Sequence, residues 1–353
     1  MQRSDNTVKH IIEANARISS QPTAPSVKYL EVDADSTGQR LDNFLLRHLK
    51  GVPKTHVYRI IRSGEVRINK GRVTADSRVQ QGDVVRVPPV RVSERALNKT
   101  QAATPAREFA TLFEDGALIA VDKPAGVAVH GGSGVSFGVI EQLRRARPQA
   151  AFLELVHRLD RETSGILLVA KKRSALTSLQ EQFRQRSTGK TYLALVLGDW
   201  PESKKVINTP LHKYLLPGQN GQEGERRVKT TTKDDPNGMH ALTLVKVAQR
   251  LQHPLGAFTL LEVTIKTGRT HQIRVHMQSQ HCPIAGDERY GDYEVNKKLA
   301  KAGLKRMFLH AHQLKFTHPM TNEPVQFTAP LPKALSQFLE SISDEKTVSS
   351  LNL

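Results

Sequence analysis

The sequence predicts an α+β protein in two parts: a small basic unit of two helices and a β-hairpin, then a larger domain on a mixed, largely antiparallel sheet. Three observations carry this. Residues 38–91 compress two helical patterns and an alternating hairpin pattern into one short stretch. Residues 92–106, VSERALNKTQAATPA, have no apolar period and read as a linker. Beyond it, strand-like runs and helical patterns do not alternate regularly, which argues against a doubly wound parallel sheet. The expected division is a polar N-terminal arm (1–27), the small domain (28–91), the linker (92–106), the large domain (107–342) and a tail (343–353).

The first helix follows from Leu41, Phe44, Leu45, His48 and Leu49, which recur on one helical face. Gly51 stops it, and Pro53 suits the first turn of a second helix that buries Val57, Ile60 and Ile61. EVRIN (65–69) and Val73–Val79 alternate around a turn holding Asn69, Lys70 and Gly71, the signature of a hairpin. A third strand, Asp83–Val87, stops at Pro88-Pro89. In the large domain, strands are expected at 118–122, 126–130, 165–171, 191–198, 241–247, 258–265 and 307–316. Helices are expected at 138–146, 174–186, 270–280 and 333–342. Residues 214–240, rich in Gly, Asp, Lys and Thr, read as a mobile hairpin or loop.

Composition narrows the function. With 353 residues, 38% of them apolar, the chain can build a real core. Its formal net charge of +18 is spread along the sequence, which points to a polyanionic partner. No apolar run is long enough to span a membrane, and the polar start, MQRSDNTVKH, shows no secretory signal. A single cysteine, Cys282, excludes an internal disulfide framework and a multi-thiolate metal site. A cytoplasmic monomer is the expectation. The unit at 38–91 carries 12 Lys/Arg against 4 Asp/Glu. Lys54, Arg59, Arg62, Arg67, Lys70 and Arg72 lie on or just after its second helix and would suit a nucleic-acid backbone. Any one of them taken singly is better explained as part of a solvated polar face.

Several chemistries are argued against. No Walker or dinucleotide signature is present, so neither NTP nor any other cofactor is expected. His310 and His312, and His271 and His276, lack the spacing of a zinc-binding helix, so no metal site is expected. GVSFG at 134–138 fits G-x-S-x-G, but HGGSG overlaps the supposed elbow, which weakens a serine hydrolase built on Ser136. HRLDRETSG at 157–165 places Asp160 on a loop at the mouth of a strand. On spacing alone, the simpler reading is a surface Asp paired with Arg158 or Arg161. A second stretch, TGRTHQIRVH at 267–276, ends an apolar strand, opens a helix through Thr270, and sets Arg269 and Arg274 near its start. GKTY at 189–192 puts Tyr192 at the head of another strand.

These motifs, with KPAGVAVH at 123–130, GDERYG at 286–291 and FLHAHQLKFTHP at 308–319, resemble the RluA-type pseudouridine synthases. The small unit resembles the S4 RNA-binding module. Together the likeness runs from about residue 28 to 340. The phrases GVPK, YRIIRSGEVRINK and VPPVRV resemble members acting on large-subunit (23S) ribosomal RNA. The resemblance implies an S4 domain before a catalytic domain that isomerises uridine to pseudouridine, with ribosomal RNA or a ribosome assembly intermediate as partner. It implies that Asp160 is the catalytic aspartate, Tyr192 the ring packing on the target base, and Arg274 the basic partner of the aspartate. It also implies that Arg158 fills the gap left in the RNA stack; Arg269 is a further candidate for binding the RNA. A catalytically silent RNA-binding factor of the same fold is the alternative.

Overall fold

The computed structural model describes residues 26–33, 36–49, 51–90, 104–131, 137–216 and 225–343. Ser136, nearly all of the expected arm, most of the linker and the tail from 344 lie outside them. The chain divides into two compact units, Met1–Gln101 and Ala102–Leu353.

The first unit contains β1 (Lys28–Glu31), α1 (Leu41–His48), α2 (Lys54–Arg62), β2 (Arg67–Ile68), β3 (Gly71–Arg72) and β4 (Val84–Val87). The strands form one sheet in the order β1-β4-β2-β3. Leu41, Phe44 and Leu45 of α1 pack with Val57, Ile60 and Ile61 of α2 against Val66, Val79, Val85 and Val87. Buried Asp42 joins the helices by accepting from Tyr58 Oη at 3.0 Å. The hairpin turn places Asn69 (φ 47°) and Lys70 (φ 70°) in the left-handed region, as a type I′ turn requires. The strand expected through Val73–Val79 does not form. Thr74 and Ser77 close a turn instead, the Thr74 amide donating to Ser77 Oγ at 3.0 Å. TADS is turn chemistry, and here it outweighs the flanking valines. Gly64 (φ +76°) lets the Arg72 side chain lie against the end of α2; a Cβ there would meet Arg72 Nε at 2.9 Å.

The second unit contains, in chain order, β5 (Thr111–Glu114), β6 (Leu118–Lys123), α3 (Val139–Ala146), β7 (Glu154–Leu155), β8 (Ser164–Ala170), α4 (Arg173–Gln185), β9 (Gly189–Leu197) and β10 (Val206–Ile207). It continues with β11 (Leu211–Leu216), β12 (Glu225–Thr230), β13 (Thr243–His253), β14 (Gly256–Ile265), α5 (Gln272–Ser279) and α6 (Tyr293–Lys301). It closes with β15 (Leu309–Thr317), β16 (Pro324–Thr328) and α7 (Lys333–Ser343). A ten-stranded sheet runs β10-β13-β14-β9-β15-β8-β6-β5, with β16 on β15 and β7 on β8. Its pairings are antiparallel except β15 with β8. β11 and β12 make a separate ribbon, beginning slightly earlier than the expected hairpin.

β8, SGILLVA, is buried along its whole length because both faces are covered. Ile166 and Leu168 meet α4 through Leu176 and Leu179. Leu167 and Val169 meet α3 through Val139, Ile140 and Leu143. Gly165 (φ +107°) is required by the parallel pair: any Cβ would collide with the Ala311 carbonyl of β15.

The strand expected at 126–130 is absent. Gly126 (φ +82°) turns the chain, and the following carbonyls are taken by other partners. Val127 O accepts from Lys123 Nζ at 2.8 Å, while Ala128 O and Val129 O accept from the first amides of α3. The helix expected from 270 begins only at Gln272, because His271 is in the left-handed region. Among the described residues, no helix is long and apolar enough to cross a membrane.

Candidate active site

The loop that carries Asp160 is pinned from beneath. The Lys123 ammonium, with no exposed surface, donates to the carbonyls of Pro124, Val127 and Arg161 at 2.8–3.1 Å. Burial pulls its pKa down to about 7, with Glu162 opposing. The Gly126 amide donates to the same Arg161 carbonyl at 2.9 Å, and Thr163 N to Asp160 O at 3.2 Å. Arg161 is engaged by Gly126 O and Glu162, so it does not pair with Asp160. The ion pairs of Asp160 within 4 Å are with Arg274 and His271 rather than with Arg158 or Arg161. Asp160 instead faces a cavity, its side chain 27% exposed.

The opposite wall comes from α5. Gln272 anchors the turn before it, accepting from Thr267 Oγ1 and Arg269 N and donating to Leu242 O and Thr243 Oγ1. Arg274, within the first turn, donates through Nε and Nη2 to the two oxygens of Asp287, each at 2.7 Å. Its remaining nitrogen, Nη1, lies 3.7 Å from Asp160 Oδ2. The guanidinium also covers the Tyr290 ring at 5.0 Å. Tyr290 Oη lies 2.8 Å from His271 Nδ1, and His271 Nε2 is 3.9 Å from Asp160 Oδ2. Burial alone would raise the Asp287 carboxyl, but the Arg274 hydrogen bonds and charge hold it below its ordinary value. Burial lowers His271 against the pull of Asp160. Burial and then the Asp160 charge push the Tyr192 phenol upward, so it stays protonated.

Asp160, Tyr192, Arg274, Arg158 and Arg269 therefore line one cavity of about 600 Å³, within the usual range for a ligand site. A second opening of about 590 Å³ shares Arg158, Asp160 and Arg274 and continues past Arg289 and Arg306. The two openings share Asp160 between them. Arg158 is exposed, and Arg269 is steadied by donating Nε to His240 O. Lys54, Arg59, Arg62, Lys70 and Arg72 are exposed on the first unit, and Arg67 there donates to Lys70 O.

His310 bonds to Ser164 Oγ and His312 to Ala329 O, while His276 is buried between Thr243 and Thr209. Among the described residues, no group of His, Cys, Asp or Glu is arranged to hold a metal. The sequence reading missed Asp287, Tyr290, His271 and Lys123 as parts of the site. GDERYG and KPAG flagged the segments, but nothing in their spacing tells which charged residue turns inward.

Comparison with known proteins follows the same lines. A family described as RNA pseudouridylate synthase matches residues 117–279, and the S4 domain matches residues 39–85. The ribosomal large subunit pseudouridine synthase C of Yersinia pestis is 50% identical over 327 residues, covering 92% of this chain and 98% of that protein. The protein of the same name from Escherichia coli K12 is 49% identical over 327 residues, covering 91% and 98%. Among solved structures, human RNA Pseudouridylate Synthase Domain Containing 4 is 26% identical with a TM-score of 0.52, covering 69% of this chain and 95% of that one.

Proposed function

Because the chain belongs to the RNA pseudouridylate synthases, isomerases that act on RNA, we propose that it converts uridines of large-subunit ribosomal RNA to pseudouridine with Asp160 as the reacting carboxylate. One observation carries the assignment. Asp160 stands on a pinned loop, opens into a cavity, and faces a guanidinium 3.7 Å away that is itself fixed.

The reaction breaks the bond from C1′ to N1, turns the uracil, and joins C1′ to C5. C5 then gives up its proton and N1 gains one, so substrate and product are isomers. No electrons are gained and no energy source is needed, so the reading requires no cofactor. Asp160 must be ionised, either to attack C1′ or to remove the 2′ proton. Arg274 favours the carboxylate by charge. Asp287 holds Arg274 in place, which keeps the geometry ready before substrate arrives. Tyr192 would stack on the uracil and retain it between bond cleavage and bond formation.

A uridine in folded RNA must first leave its stack, at about a few kcal/mol. Exposed Arg158, beside Asp160, is suited to take the vacated place. The cations of the S4 unit would hold the RNA backbone without reading its sequence. Ribosomal RNA as substrate fits a cytoplasmic protein.

The test is tritium release from ribosomal RNA labelled at uracil C5. The native protein releases tritium, and Asp160→Asn releases none. If both release none while RNA binding persists, the protein is the silent RNA-binding factor instead.

A further inference from the structure

The cavity beside Asp160, about 600 Å³, is larger than a single base needs, and cations away from Asp160 in sequence also line it. Arg186 closes α4, Lys190 lies on β9, and Lys266 follows β14; all three border the same cavity. Lys190 and Tyr192 are two residues apart on one strand, so they project from the same face, roughly 7 Å apart along it.

Lys190 is half-buried, with its ammonium over the Phe183 ring, 5.4 Å from the ring centre. The ammonium donates to Thr188 Oγ1 at 2.9 Å. Burial lowers its pKa, and Lys266 and Arg186 lower it further. Asp160 is the sole carboxylate among the residues lining this cavity, and it is already matched by Arg274. Three cations that repel one another therefore converge on one space without an acid between them. Arg186 adds a second, independent sign. It caps α4 at φ 60°, a conformation that a glycine or asparagine adopts more readily. Strain of this kind is commonly retained where the side chain has work to do.

We propose that Arg186, Lys190 and Lys266 form a subsite for one backbone phosphate of the RNA strand, next to the uridine that enters beside Asp160. This deepens the reading just given and rests on it. A phosphodiester supplies the missing negative charge and accepts hydrogen bonds from all three donors. Held there, the strand is registered so that its neighbouring nucleotide lies along β9 toward Tyr192.

The experiment measures binding of unmodified large-subunit ribosomal RNA transcript by filter retention between about 50 and 200 mM salt. Tritium release is followed in parallel. Lys190→Met keeps an unbranched apolar side chain of similar length and removes one charge. It is expected to raise Kd about fivefold at 0.1 M salt and to flatten the slope of log K against log salt by about 0.7–0.9. The change appears in KM for RNA rather than in kcat, and Lys190→Arg restores most of it. Lys266→Gln, on an exposed side chain, shifts Kd in the same direction should Lys190→Met fold poorly. Arg186→Gly relieves the left-handed strain, so it raises Tm while weakening RNA binding. An unchanged Kd and slope in Lys190→Met and Lys266→Gln overturns the subsite, as does a loss confined to kcat. If the native protein binds RNA with these slopes but releases no tritium, the isomerase reading falls and the subsite stands.

Discussion

Arg274 is bound to buried Asp287 by two hydrogen bonds of 2.7 Å, and only its Nη1 is left for Asp160. The residue facing the proposed reacting carboxylate is thus held by a different acid. Removing that acid leaves a buried guanidinium without its main partner. Asp287→Ala should destabilise the second unit by about 3–5 kcal/mol, seen as a fall in Tm. Tritium release should drop even where the variant remains folded. The folded carboxyl is held low by Arg274, so the contribution of the pair is complete above the unfolded value of about 3.9. It is lost as pH falls through the lower folded value. Asp287→Asn should lack that part of the acid transition, measurable by urea melts across acidic pH.

Tyr192 separates a ring from a hydroxyl. Its phenol is held protonated by burial and by Asp160, so it has no proton to lose near neutrality. If stacking is its task, Tyr192→Phe should keep most of the activity. Tyr192→Ala should lose about 5- to 150-fold, the equivalent of a base–ring contact of about 1–3 kcal/mol. Equal losses in both variants would remove the stacking role.

Lys123 offers a pH test. The folded protein sheds the Lys123 proton at about 7, whereas an unfolded chain holds it to about 10.4. Between those values the unfolded state binds more protons, so this group makes stability rise with pH across the window. Lys123→Met should flatten that rise in denaturant melts from neutral to alkaline pH. It also removes the donor from Arg161 O, so tritium release should fall as the Asp160 loop loosens.

Gly165 tests the parallel pair. Alanine there must hold φ near +107° and drive its Cβ into Ala311 O. The backbone conformation alone costs more than about 1 kcal/mol, and separating β8 from β15 adds to it. Calorimetry should show a lower Tm for Gly165→Ala, with tritium release falling in step.

Local pattern revealed most of the elements and some of the site. The helical face of Leu41, Phe44 and Leu45 and the continuous apolar run of β8 follow from near neighbours alone. The meeting of Asp160 with Arg274 was legible only through motif resemblance, because it joins residues far apart in the chain. Residues 126–130 alternate like a strand, yet Lys123 and the first turn of α3 take their carbonyls; periodicity does not record competing donors. α6 went unread although Asp292 caps it through Val295 N, because Leu299 is its sole buried residue and no apolar stripe results. Asp287 was hidden for a related reason. In GDERYG, an acid turned inward and an acid turned outward look alike until the guanidinium that selects one is in place.

β15 lies between β8, which follows Asp160, and β9, which carries Tyr192, so it fixes the gap between the two. Ser164 and His310, neighbours across the parallel pair, are 146 positions apart in the chain. At about 5–20 residues per second, a ribosome needs roughly 7–30 s to add the stretch between them. Until that stretch is complete, the loop bearing Asp160 and, once it is made, the strand bearing Tyr192 lack the spacer that sets them opposite one another. Synthesis of the site's parts and their assembly into one geometry are therefore separated in time.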